Sequence, residues 1–189
     1  MVTLRRNRVR VLFLFLFAAL LGTTSASAQE IPAVGESAPD FRLPTLQGEA
    51  VQLAKLTAQG PAVVIVLRGY PGYQCPVCNA QTGQLIANAA KFSEKKAQVV
   101  LVYPGPSAGL IQHAGDFVRG KTLPSNFHLV VDPDYALTNL YGLRWDAPNE
   151  TAYPSTFVVD KQGKVKFAKV SKSHGGRATV DEILSALGD

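Results

Sequence analysis

The first apolar segment of the chain is unbroken: VLFLFLFAALL, Val11 to Leu21, preceded by the basic run RRNRVR and followed by small residues ending ASA before Gln29. Basic, then apolar, then A-x-A is the pattern of a secretory signal peptide, so residues 1–28 are expected to be removed after Ala28. The alternative is a retained anchor. As a helix, however, eleven residues span about 16 Å against a hydrocarbon core of roughly 30 Å.

Beyond residue 28 the patterning changes several times. Phe41 and Leu43 alternate with Arg42, and Val51 and Leu53 with Gln52, which predicts two short strands joined by a turn through Pro44 and Gly48. Val63–Leu67 is continuous and mostly β-branched, as a strand buried on both faces would be. Gly69, Pro71 and Gly72 break it into a loop. From Pro76 onward Cys78, Thr82, Leu85, Ala89 and Phe92 recur at spacings of four and three, one face of a helix, with Pro76 suited to its first turn. AQVVLVY, ending at Pro104, predicts a second buried strand. A helix is expected from about Ser107 to Arg119, stopped by Gly120. FHLVVD predicts another strand, with Asp132 and Pro133 as N-cap and first residue of a short helix carrying Leu137, Leu140 and Tyr141. Residues 143–154 read as loop, STFVVD and KVKFAKV as a hairpin, and Thr179 with Glu182 as a capping box opening the last helix. The order is a hairpin, then β-α-β-α-β-α, then a hairpin and a helix. It predicts an α/β domain over residues 29–189: a mixed central sheet flanked by helices, with an N-terminal β-hairpin extension.

Composition alters this picture in one respect. The chain carries 19 Lys and Arg against 14 Asp and Glu, a formal net charge of +5. Four of those arginines lie within residues 1–28, where there is no acid, so the remainder is nearly balanced at 15 against 14. No basic surface for nucleic acid is expected. About 161 residues suffice for one ordinary core.

The chemistry concentrates in LRGYPGYQCPVCNAQ, residues 67–81, which holds both cysteines. Cys75 stands where a buried strand gives way to a helix, where free N–H groups and the helix dipole stabilise a thiolate. Cys78, three residues on, lies within reach of it. This spacing suits a redox pair in which Cys75 attacks and Cys78 resolves through thiol–disulfide exchange. A purely structural disulfide would close too small a loop to constrain the unfolded chain much. A zinc site would require further ligands, and His113, His128 and His174 are spread without a ligand pattern. An inert buried pair is the third alternative. His113 on a helix and His128 in a strand read as structural, whereas His174, in the loop KSHGGR, is a weak site candidate.

VGESAPDFRLPTLQGEAVQL, VVDPDYALTNLYGL and STFVVDKQGKV resemble, in that order, the AhpC/TSA (alkyl hydroperoxide reductase / thiol-specific antioxidant) family, the peroxiredoxin branch of the thioredoxin fold, over residues 34–189. The cysteine segment is most similar to the peroxiredoxin-like subgroup with C-P-x-C. The resemblance implies a thioredoxin-like fold and a thiol-dependent peroxidase cycling a Cys75–Cys78 disulfide. It implies no organic or metal cofactor, a peroxide or protein-disulfide substrate, and a thiol reductant or reductase as partner. Export would place the protein in the periplasm or outside the cell, with no membrane insertion after cleavage.

Two departures qualify the resemblance. The family sets Pro and then Thr or Ser seven and three residues before the attacking Cys. Here Arg68 and Gly72 hold those places, with Pro71 out of register. The family also sets an arginine three residues before the Phe of the TF strand, where this chain has Pro154. YPSTFVVD instead resembles thioredoxins and exported TlpA/ResA-type reductases, which implies a cis Tyr153–Pro154 bond facing the cysteines and holding the substrate side. Arg68 is a candidate replacement for the missing arginine, with a surface charge as the alternative. Tyr70 and Tyr73 either shape a substrate groove or cover the helix end. Beside the peroxidase stand two other readings: a TlpA/ResA-type protein disulfide reductase, and a non-catalytic thioredoxin-fold binding module with a permanent disulfide.

Overall fold

The computed structural model describes Val2 and residues 30–188; the expected signal peptide, residues 1–28, lies outside the described residues apart from Val2. An antiparallel hairpin, β1 (Arg42–Pro44) and β2 (Ala50–Gln52), leads into a short helix α1 (Leu53–Thr57) that the sequence pattern does not reveal. The central sheet has five strands: β3 (Ala62–Val66), β4 (Gln98–Gly105), β5 (Phe127–Pro133), β6 (Ser155–Val159) and β7 (Val165–Val170), in the order β5-β4-β3-β6-β7. β4 runs parallel to β3 and β5, whereas β6 is antiparallel to β3 and β7. The sheet is therefore mixed, as the element order predicts.

The continuous apolar runs are explained by burial on both faces. Val63 and Ile65 of β3 point into one core with Val99, Leu101, Leu85, Phe92 and Phe117. Val64 and Val66 point into the other, with Val100, Val102, Val130, Tyr141 and Phe157. α2 (Pro76–Ala87), α3 (Ala89–Glu94), α4 (Leu110–Val118) and α6 (Val180–Ala186) contribute to the first core; α1, α5 (Ala136–Leu140) and the hairpin contribute to the second. Among the described residues no helix is long and apolar enough to cross a membrane.

Three local expectations are revised. The helix expected through Phe92 is two helices, α2 and α3, separated at Asn88 (φ −107°, ψ 16°), with the apolar face continuing across the break. Ser107 does not open α4, because its N–H and hydroxyl both go to the Asp134 carboxylate; Gly109, left-handed at φ 74°, begins the helix. Asp132 and Pro133 belong to β5. The chain passes Asp134 and Tyr135 at positive φ before turning helical, and the buried Asp132 carboxylate reaches forward to accept the N–H groups of Leu137 and Thr138 at 2.7 and 2.9 Å. Asp132 thus caps α5 from outside it. The capping box of Thr179 and Glu182 forms at α6 as the sequence predicts.

Candidate active site

Leaving β3, the chain crosses closely over β4 before it enters α2. Gly69 is left-handed (φ 71°), and a Cβ there would stand 1.9 Å from the Pro104 carbonyl oxygen, so only glycine lets the two backbones approach. The loop that follows is pinned on its far side. The Tyr70 ring stacks on His113 of α4, 3.6 Å between centroids, and the Gln74 amide donates to the His113 carbonyl and accepts from the buried Tyr103 hydroxyl. Tyr70 therefore braces the loop.

Cys75 is the N-cap of α2 and Pro76 its first residue, as expected. Both cysteines are free and buried, Cys75 being 3% exposed. The Cys78 N–H donates to Cys75 Sγ at 3.3 Å, and the Arg68 N–H donates to Cys78 Sγ at 3.4 Å. The two thiols take opposite protonation preferences. A hydrogen bond from the Cys78 thiol lowers the Cys75 pKa well below the ordinary thiol range; burial opposes this, while the Cys78 N–H, Arg177 and Arg68 add to it. The same hydrogen bond, aided by burial, raises Cys78 and keeps its proton on. One sulfur is poised as a thiolate and its neighbour as a thiol, the division of labour that attack and resolution require.

Arg68 is not a surface charge; its side chain is 2% exposed. Its guanidinium turns toward the 143–154 loop. Nε donates to Glu150 Oε2 at 2.6 Å, Nη2 to the Asn149 carbonyl at 2.7 Å, and Nη1 to the Tyr73 hydroxyl at 2.6 Å. Asn149 presents that carbonyl from a left-handed conformation (φ 60°) that asparagine tolerates. Burial works against the Arg68 charge, but its bonds to Glu150 and Tyr73 hold it above its usual pKa. Burial would likewise raise Glu150, yet hydrogen bonds from Arg68 and His174 bring it below the usual carboxylate range. Tyr73 is thus the partner of Arg68, with its ring still 45% exposed near the site.

A residue that the sequence reading does not identify completes the constellation. Arg177, in the loop between β7 and α6, places Nη2 at 3.3 Å from Cys78 Sγ and 3.7 Å from Cys75 Sγ. Its Nη1 donates to Gln81 Oε1 at 3.0 Å and its Nε to the His174 carbonyl at 3.2 Å. His174, the weak candidate, sits 2.8 Å from Glu150 Oε1. Nearby, the Trp145 ring stacks on Tyr153 at 4.8 Å and lies 5.5 Å from the His174 ring. The only sequence signal for Arg177 is that it shares the KSHGGR loop with His174. His128 bonds to Gln98 at the strand edge, away from the thiols. Among the described residues, no three His, Cys, Asp or Glu side chains gather as a metal would require.

The expectation of a cis bond before Pro154 is corrected. There is no cis peptide bond among the described residues, so Tyr153–Pro154 is trans. The surrounding backbone is also already engaged. The Tyr153 N–H donates to the Leu143 carbonyl, the Tyr153 carbonyl accepts from the Ser155 hydroxyl, and the Pro154 carbonyl accepts from the Ser171 N–H. Pro154 is the buried residue before β6, and its carbonyl and the Tyr153 N–H are already paired within the protein.

Known proteins resemble this one along most of its length. Residues 34–168 match the AhpC/TSA family. A thiol-disulfide oxidoreductase ResA of Geobacillus thermodenitrificans is 29% identical over 167 residues, covering 86% of each chain. A Helicobacter pylori protein that carries the name peroxiredoxin bcp is 32% identical over 159 residues, covering 82% of this chain and 97% of its own. Among solved structures, the peroxidoxin BcpB of Mycobacterium tuberculosis superposes with a TM-score of 0.64 at 23% identity, covering 82% of this chain and 96% of its own. A Chlorobium tepidum protein of the thiol:disulfide interchange type, DsbE, superposes with a TM-score of 0.61 at 26% identity, covering 83% and 99%. The fold is thioredoxin-like, and the relatives divide between peroxiredoxins and disulfide oxidoreductases.

Proposed function

The chain belongs to the AhpC/TSA family of thiol-dependent oxidoreductases, and from that premise we propose that it is an exported thiol peroxidase in which Cys75 attacks a peroxide and Cys78 resolves. The observation that carries this reading is the placement of Cys75: its sulfur caps the N-terminus of α2, accepts the Cys78 N–H at 3.3 Å and lies 3.7 Å from the Arg177 guanidinium, all of which favour a thiolate there. Cys75 thiolate takes the distal oxygen of a hydroperoxide, breaking the O–O bond and leaving an alkoxide that is protonated to the alcohol. Cys75 becomes a sulfenic acid. Cys78 sulfur then attacks Cys75 sulfur; the Cys78 proton and the departing hydroxide form water, and a disulfide remains. Two electrons pass from the thiols to the peroxide, and an external dithiol or thiol reductant returns them.

Geometry supports a small oxidant. Cys75 is buried, and the Pro154 segment that would receive a peptide is internally paired. A second reading, a protein disulfide reductase, is supported by the C-x-x-C pair itself and by the similarity to ResA. Stopped-flow mixing of the reduced protein with hydrogen peroxide and with a small alkyl hydroperoxide tests the choice. Thiol loss far faster than for free cysteine, abolished by Cys75→Ser, is expected; loss no faster than free cysteine with either peroxide overturns the peroxidase reading and leaves the reductase. Export rests on the N-terminal pattern alone, and N-terminal sequencing of the protein from cell fractions is expected to begin at Gln29.

A further inference from the structure

Two arginines approach the cysteines, and their charges are not equivalent. Arg68 is paired with Glu150 at 2.6 Å, so that pair is close to neutral when viewed from the sulfurs. Arg177 has no carboxylate within ion-pair distance among the described residues. Its acceptors are the Gln81 amide oxygen, the His174 carbonyl and the two sulfurs. A guanidinium cannot shed its proton, so it lacks a counterion unless a sulfur supplies the negative charge.

We propose that Arg177 is a catalytic residue of this site: the uncompensated cation whose counterion is the Cys75 thiolate, delivered by the loop that follows β7. Its orientation is set from two sides. Gln81 holds Nη1 from the second turn of α2. The His174 carbonyl holds Nε, and the His174 ring is itself tied to Glu150. That leaves Nη2 facing both sulfurs. Glycines at 175 and 176 precede Arg177, with Gly176 left-handed at φ 67°, so the loop can fold back over the N-terminus of α2. A shallow groove of about 190 Å³, lined by Val77, Gln81, Gln84, Gly176 and Arg177, runs between α2 and this loop, so Arg177 stands between solvent and the buried thiols.

Formation of the Cys75–Cys78 disulfide removes the negative charge. Arg177 then keeps only neutral acceptors, and the loop loses its charged attachment to α2. The reduced and oxidised proteins should therefore differ in how firmly residues 171–178 are held.

The proposal rests on the assignment of Cys75 as the nucleophile, and its test uses no substrate. The reduced full chain is alkylated with iodoacetamide across a pH series, and the labelled cysteine is identified by mass spectrometry. In Arg177→Gln the midpoint for Cys75 is expected to rise by about one pH unit or more, the effect of removing an opposite charge within a few ångströms. Arg177→Lys is expected to recover part of that rise. An unchanged Arg177→Gln profile, or an Arg177→Lys profile no better than Arg177→Gln, overturns the role. Should Arg177→Gln fail to fold by circular dichroism, Gln81→Met loosens the same guanidinium without removing it. A smaller rise in the same direction is then expected, and no rise overturns the proposal. Labelling at Cys78 first would instead sink the assignment of Cys75 and the proposal with it, whereas failure of peroxide turnover alone would leave the Arg177 result standing.

Discussion

The loop after β3 and the loop after β7 each bring an arginine to the same two sulfurs, yet they are built on opposite terms. The first is buried and pinned. Gly69 lies against β4, Tyr70 on α4, and each guanidinium nitrogen of Arg68 is bonded, to Glu150, Asn149 or Tyr73. The second is a glycine-bearing strap at the surface whose arginine meets neutral oxygens and sulfur. A charge close to a reactive atom acts on it in proportion to what neutralises the charge elsewhere. Arg68 serves chiefly as a structural link between the site and the 143–154 loop, and the sulfurs feel Arg177 more.

The sharpest way to break this contrast is Glu150→Ala. It strands the buried Arg68 charge, and chemical unfolding should show a loss of about 3–5 kcal/mol. A loss below about 1 kcal/mol would mean that water reaches Arg68 and the two loops are less different than they look.

The next concerns the thiols through pH. Cys75 has its pKa lowered in the folded, reduced protein relative to an unfolded chain. The reduced form should therefore gain stability as pH rises from the Cys75 folded value toward the ordinary thiol value of about 8.5. Above that value Cys78, whose pKa is raised, reverses the gain, because the unfolded chain can ionise there and the native site resists it. The oxidised protein has neither titration. Thermal unfolding of both forms across the same pH range should show the difference in stability, reduced minus oxidised, passing through a maximum near the ordinary thiol value, because the other titrating groups are common to both forms.

Smaller effects refine the comparison. Tyr73→Phe removes one acceptor from Arg68 and should cost about 1 kcal/mol of stability, with the Cys75 alkylation profile little moved. Pro154→Ala should do least: under about 1 kcal/mol, mostly through a freer unfolded chain, with unchanged thiol reactivity. A large loss of disulfide-reductase activity in Pro154→Ala would restore the docking role that the trans bond and paired backbone argue against.

What was legible in the chain was local. The two-sided burial of Val63–Leu67, the face running Cys78–Thr82–Leu85, the N-cap place of Cys75 and the Thr179–Glu182 box all follow from residues within a few positions of one another. The partners of Arg68 and the acceptors of Arg177 are different in kind. Glu150 is 82 residues from Arg68, and Cys78 is 99 residues from Arg177, and both arginines lie in loops where a charge ordinarily meets water. Asp132 shows a milder version, a cap correctly sensed but working across two left-handed residues that periodicity does not register. Pro154 shows the converse. A short motif suggested a cis isomer, whereas the bond is trans and the Tyr153 N–H and the Pro154 carbonyl pair with Leu143 and Ser171.

The stack of Trp145 on Tyr153, with His174 beside it, gives the protein an intrinsic optical reporter. Trp145 is the single tryptophan of the chain, so its emission comes from one place, within van der Waals range of the strap that carries Arg177. Movement of that strap when the disulfide forms would change the indole's neighbour and with it the fluorescence. A catalytic cycle could then be followed turn by turn in unlabelled protein, with loop motion and sulfur oxidation timed against each other in one cuvette.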